Sequence, residues 1–155
     1  MVDFRSRILR SCALAVLFAL LASSAAMAQP WRLRGIGDEQ LAEGDVGRGA
    51  TVVVVWASWS PKSRDIVERV NRVVDRWQGK ARVVTVTFQE ERAAVNGFLA
   101  GKSLRAPVFL DTDGTFSRRY AIATLPGLLV LKDGQVAYHG KLPDDPDAVI
   151  ADLLR

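Results

Sequence analysis

Residues 51–64 read Thr51-Val52-Val53-Val54-Val55-Trp56-Ala57-Ser58-Trp59-Ser60-Pro61-Lys62-Ser63-Arg64. The run Thr51–Trp56 is β-branched and apolar with no polar alternation, which predicts a strand buried on both faces. Beyond Ser60-Pro61 the apolar residues fall at Ile66, Val67, Val70, Val73, Val74 and Trp77. That spacing makes one helical stripe, which Gly79 ends. Ser60 stands where a helix N-cap is expected and Pro61 at the first helical position, so the Ser60 hydroxyl is expected to accept a first-turn N–H. A buried strand, a short connection and an amphipathic helix are the opening of an α/β unit.

Outward from this unit the pattern repeats. Arg82–Phe88 (RVVTVTF) predicts a second strand, Glu90–Ala100 a second helix and Pro107–Leu110 a short third strand. Asp111-Thr112-Asp113-Gly114 predicts a turn, followed by a helical turn over Thr115–Tyr120. Gly127–Leu131 and Gln135–His139 flank Lys132-Asp133-Gly134, the signature of a hairpin on an Asp-Gly turn. Pro146–Leu154 predicts a closing helix, with Asp144 or Asp145 as its cap. Upstream, the Gly-rich stretch Gln29–Gly49 offers only a short helix around Asp38–Glu43, ended by Gly44. The fold class is α/β: a central mixed sheet with parallel pairs first and a terminal antiparallel hairpin, flanked by helices.

The first 28 residues read differently. Arg5, Arg7 and Arg10 precede the apolar run Ala13–Ala22, which is short for a membrane span. Small residues follow, ending in Ala26-Met27-Ala28, an A-x-A site for cleavage before Gln29. Residues 1–28 are therefore expected to be a signal peptide and 29–155 the working domain, exported and periplasmic. The alternative is an uncleaved anchor holding the same domain at the outer face of the membrane. A lipoprotein is disfavoured because Cys12 precedes the apolar run rather than following it.

Counting then excludes much chemistry. All the sulfur of the chain lies in Met1, Cys12 and Met27, so the mature domain has neither Cys nor Met. Disulfides, thiol catalysis and thioether copper ligation are excluded there. His139 is the single His, which excludes a His/Cys zinc site; no metal and no cofactor is expected. Eighteen basic against sixteen acidic residues leave the mature domain at +2, with signs interleaved and no basic stripe for nucleic acid. No membrane contact is expected after cleavage.

Two remaining patterns read as structure. Ser60, Lys62, Ser63 and His139 could suggest a serine hydrolase, but a nucleophilic Ser needs an oriented base within hydrogen-bond reach, and no G-x-S-x-G elbow is present. A calcium loop starting at Asp111 would need Gly and Glu where Phe116 and Ile122 stand.

Three segments in order carry a resemblance. They are Trp56–Arg64 (WASWSPKSR), Thr124-Leu125-Pro126-Gly127, and Leu131–Val136 (LKDGQV) within the final hairpin. Together they resemble the thioredoxin superfamily, and within it the exported TlpA/ResA-like thiol–disulfide oxidoreductases, over about four-fifths of the mature chain. The resemblance implies a thioredoxin-like fold, with W-A-S-W-C-P-x-C at the first segment and a cis-proline at the second. It also implies that the residue before that proline, Leu125 here, lends backbone groups to an extended peptide.

The departure lies at Ser60 and Ser63, where the family carries its redox cysteines. Exchange requires a thiolate and a resolving thiol, and a serine hydroxyl supplies neither. No catalytic residue is therefore assigned. The expected binding residues are Trp59, Ser60, Leu125 and Pro126, and the expected role is a non-redox binding or assembly factor for another exported protein. Trp56 is expected in the core; Trp59 is read equally as packing support or as contact surface. The alternatives are a thiol–disulfide oxidoreductase by resemblance, a serine hydrolase, or a purely structural subunit of a complex.

Overall fold

The computed structural model describes residues 29–155. The leader expected for residues 1–28 lies outside the described residues. Seven strands form one sheet: β1 (Arg32–Gly35), β2 (Gln40–Ala42), β3 (Ala50–Trp56), β4 (Arg82–Phe88), β5 (Val108–Asp111), β6 (Gly127–Lys132) and β7 (Gln135–Lys141). Among the described residues four helices accompany them: α1 (Ile66–Trp77), α2 (Arg92–Leu99), α3 (Thr115–Arg119) and α4 (Pro146–Leu153). The strand order is β2-β1-β5-β4-β3-β6-β7. β3, β4 and β5 run parallel to their neighbours in that trio, and all other pairs are antiparallel.

The strand at the centre of the argument feeds two cores. Val52, Val54 and Trp56 face α1, α2 and α4, packing with Ile66, Val70, Val73, Val95 and Ile150. Val53 and Val55 face the opposite layer with Trp31, Leu33, Phe116 and Leu129. A strand so placed has no solvent face, which is why its sequence shows no alternation. On α1 the predicted stripe is buried at Ile66, Val70, Val73, Val74 and Trp77. Trp77 also donates its indole N–H to Asp147 at 2.8 Å, tying α1 to α4. Asp145, one of the two expected caps, accepts the Asp147 amide at the start of α4.

The N-terminal segment corrects the sequence reading. No helix forms around Asp38–Glu43; Gln40–Ala42 is strand β2, and only Glu43–Val46 winds into a 3-10 turn. β1 and β2 pair through Leu33↔Leu41, and β1 joins the main sheet through Arg34↔Leu110. Strand pairing of two buried leucines overrides the weak local helical signal. Trp31 is buried beneath α3, where its indole N–H donates to the Tyr120 hydroxyl at 3.0 Å and its ring meets Phe116 edge-on at 4.9 Å. Burial pushes the Tyr120 phenol above its usual range, partly countered by that hydrogen bond.

Candidate functional site

β3 ends at Trp56, whose side chain is fully buried, and the chain turns at once. The Ser60 amide donates to the Ala57 carbonyl at 3.1 Å, closing a tight loop. Glu90, just past β4, holds the loop from below. Its carboxylate accepts the Ser58 amide at 2.8 Å and the Ser58 hydroxyl, although 32 residues separate the two. Glu90 is only 5 % exposed, and these two donors give its buried side chain hydrogen-bond partners. Trp59 is thereby presented outward, 61 % exposed, the most exposed large hydrophobic side chain among the described residues.

Ser60 does not cap a helix in the expected way. It precedes a 3-10 turn over Pro61–Ser63, and its hydroxyl makes no capping bond. The backbone closes that turn instead, the Ser63 amide donating to the Ser60 carbonyl at 2.9 Å. The helix proper begins three residues later than the turn, at Ile66. Ser63 is fully buried, and its hydroxyl has no hydrogen-bond partner. A hydroxyl left in that state costs about 1–3 kcal/mol. A thiol at the same place would not carry that cost, because buried Cys behaves as a small hydrophobe.

Thr124–Gly127 approaches from the other side, and the Leu125–Pro126 peptide bond is cis. A groove of about 490 Å³ lies between this loop and the Trp59 loop, lined by Trp59, Ser60, Lys62, Phe88, Ile122 and Leu125. Three of the four expected binding residues thus share one groove. Pro126 does not line it; it is buried, and its carbonyl accepts the Leu142 amide at 2.9 Å. Among the described residues, the Leu125 backbone N–H and C=O have no hydrogen-bond partner within the chain.

Phe88, Ile122 and Glu90 were not singled out from sequence. Phe88 could have been: it ends a predicted strand parallel to β3, so it must emerge at the same edge. Glu90 carries no local signal, since its partner Ser58 is distant in sequence. His139 is exposed on the edge strand β7, paired with Leu129, which itself pairs with Val53. It therefore sits level with Val53, three residues short of the end of β3, or roughly 10 Å below the Ser60 loop. No Ser–His pair forms. Asp111 acts as a cap rather than a calcium ligand: its two carboxylate oxygens accept the Phe116 and Ser117 amides, each at 2.9 Å.

A mixed sheet with the carboxyl ends of three parallel strands meeting a cis-proline loop beside a helix start defines a thioredoxin-like α/β protein. The sequence model of the AhpC/TSA family matches residues 26–139, and the chain belongs to that family. No curated protein sequence matches the chain significantly. Among solved structures it is similar to a Chlorobium tepidum protein assigned as a thiol:disulfide interchange protein DsbE. That pair shares 22 % identity with a TM-score of 0.70, over 83 % of this chain and 95 % of that one. It is also similar to StoA from Bacillus subtilis (21 % identity, TM-score 0.66, 80 % and 96 % covered). A pneumococcal exposed lipoprotein thioredoxin from Streptococcus pneumoniae gives 17 % identity and a TM-score of 0.70, with 81 % and 98 % covered. With these neighbours the chain shares the thioredoxin-like fold. Among the described residues, no helix is long and apolar enough to cross a membrane.

Proposed function

We propose that the chain is an exported, non-redox member of the TlpA/ResA-like branch, in which Ser60 and Ser63 replace the redox cysteines. It works by holding an extended segment of another exported protein in the groove between the Trp59 and Leu125 loops. The observation that carries this reading is Trp59, a large indole left in water beside an apolar groove, on a loop that Glu90 ties down through Ser58. Soluble domains rarely leave such a surface without a use. The unpaired Leu125 amide and carbonyl add what an extended peptide needs, a free backbone edge. The orphaned Ser63 hydroxyl supports the replacement, because the position suits a thiol better than the residue it has.

The reading is tested by partner capture. Trp59→Ala should weaken binding by about 2 kcal/mol or more, since buried interfacial aromatics dominate such contacts. Leu125→Asp should weaken the same partner by placing a charge in the groove. Thermal melting of both variants, measured alongside, should stay close to wild type. Partner retention unaffected by either substitution would place the interaction elsewhere.

Export has its own check. The mature protein should begin at or near Gln29 and contain no sulfur, which intact mass spectrometry of the exported protein decides. A species retaining residues 1–28 would favour the anchored form.

A further inference from the structure

A second cleft lies at the same end of the sheet, displaced from the groove toward β1. Its volume is about 450 Å³, and its walls carry Arg32, Arg34 and Arg92. Arg32 and Arg34 are two apart on β1, so they project from one face, while Leu33 between them is buried on the other. The pairing Arg34↔Leu110 sets both beside the end of β5. Arg92 arrives from the first position of α2. Its Nη2 donates to the carbonyls of Gly35 at 3.2 Å and Gly37 at 3.3 Å, which fixes the guanidinium while Nε and Nη1 keep their protons.

We propose that this cleft is an oxyanion site that takes a phosphate-type group, a role separate from the groove. Two carboxylates, Glu91 and Asp113, also line the cleft and oppose an anion, and the three arginines outnumber them. The carboxylates do not quench the site. Among the described residues none of the three arginines makes an ion pair; the Arg32 guanidinium donates only to the Gln40 side chain at 3.4 Å, and the Arg34 side chain has no hydrogen-bond partner. Asp113 is occupied locally, accepting the Thr115 amide at 2.9 Å, and this bond holds its carboxyl below the usual range. A tetrahedral oxyanion offers acceptors in several directions, matching guanidinium forks that come from a strand and from a helix. A planar carboxylate offers two oxygens in one plane and would leave one arginine unused.

The test is a titration of the exported protein with inorganic pyrophosphate and with inorganic phosphate, followed by amide NMR at constant ionic strength. Saturable shifts are expected at residues 32–34, 91–92 and 110–113. Arg34→Gln should weaken binding about tenfold, the loss of one charge-assisted contact. Glu91→Gln should tighten it by about two- to threefold through removal of a like charge. Arg76→Gln, an exposed arginine on α1, should leave it unchanged. Vesicles of phosphatidylcholine with and without phosphatidylglycerol distinguish a lipid headgroup from a soluble phosphate as the source. Retention only by the anionic vesicles, with saturable pyrophosphate binding, assigns the headgroup; pyrophosphate binding without retention assigns a soluble ligand. Shifts that sodium chloride reproduces, equal loss in Arg34→Gln and Arg76→Gln, or no saturable binding would overturn the site.

Discussion

The Ser60→Cys/Ser63→Cys double variant, made in a Cys12→Ser background, is expected to form an intramolecular disulfide and to gain thiol–disulfide exchange activity. The geometry for this is in the 3-10 turn. Residues three apart on an α-helix hold their Cβ atoms about 5–6 Å apart, wider than the 3.5–4.5 Å of a disulfide. Ser60 is not helical, however: it precedes the 3-10 turn with an extended ψ of 122°, so its Cβ does not keep the helical spacing to residue 63. The 2.9 Å bond from the Ser63 amide to the Ser60 carbonyl marks such a turn here. The two positions are also unequal in the way exchange requires. Residue 60 lies at the groove and at the start of the turn, where a thiolate gains from the backbone N–H groups. Residue 63 is fully buried, which suits the resolving thiol. Ser63→Cys also removes the orphaned hydroxyl. The oxidised variant should titrate no free thiol under native conditions and should speed insulin reduction by dithiothreitol, while the native protein stays at the no-protein rate. Two free thiols in the folded, air-oxidised variant would show that the turn does not bring the positions together. Turnover by the native protein, with contaminating thioredoxins excluded, would overturn the non-redox reading itself.

Where sequence reading succeeded and failed follows from the range of the forces involved. The strands β3 and β4 and the helix α1 were legible because burial imposes a composition on them: six uninterrupted apolar or β-branched residues, or a stripe at helical spacing. The final hairpin was legible from Asp133-Gly134, whose positive φ angles of 51° and 77° suit a tight reversal. β1 has a period-two signal of its own. Trp31, Leu33 and Gly35 are buried while Arg32 and Arg34 are exposed, a period of two visible in the residues themselves. β2 carried almost none, since Leu41 is its only buried residue and its pairing partner lies eight positions back. At the site, Trp59, Ser60 and Leu125 came from a motif frame. Glu90 and Ile122 did not, because what places them is a hydrogen bond to a distant loop and the path of the chain after α3. Ser60 shows the limit of a local rule: the residue type is right for a cap, yet the backbone alone closes the turn.

Asp111→Ala is expected to be the most destabilising single substitution at any polar residue near the site. Asp111 is completely buried at the end of β5, and its carboxylate has two backbone donors, the Phe116 and Ser117 amides. A buried charge is tolerable only when its hydrogen bonds are made, and bonds to charged groups contribute about 1.5–3 kcal/mol each. Alanine removes both and leaves two buried N–H groups without partners. The expected loss is about 3–4 kcal/mol, seen as a fall in melting temperature of roughly 10 °C for a domain of this size. Asp111→Asn keeps one acceptor oxygen and should lose about half as much. The consequence reaches the groove. α3 is only five residues long and cannot hold itself together without its cap. Its end is joined to the groove wall by the Ile122 amide, which donates to the Ser117 carbonyl at 2.9 Å. Hydrogen exchange of Asp111→Ala, measured well below its melting temperature, should therefore show loss of protection at 116–122 before the central strands open. It should also show weakened partner capture with Trp59 and Leu125 untouched. Melting unchanged in Asp111→Ala would mean that Phe116, packed on Trp31 and Tyr120, holds α3 without the carboxylate. Partner capture would then depend on the two loops alone.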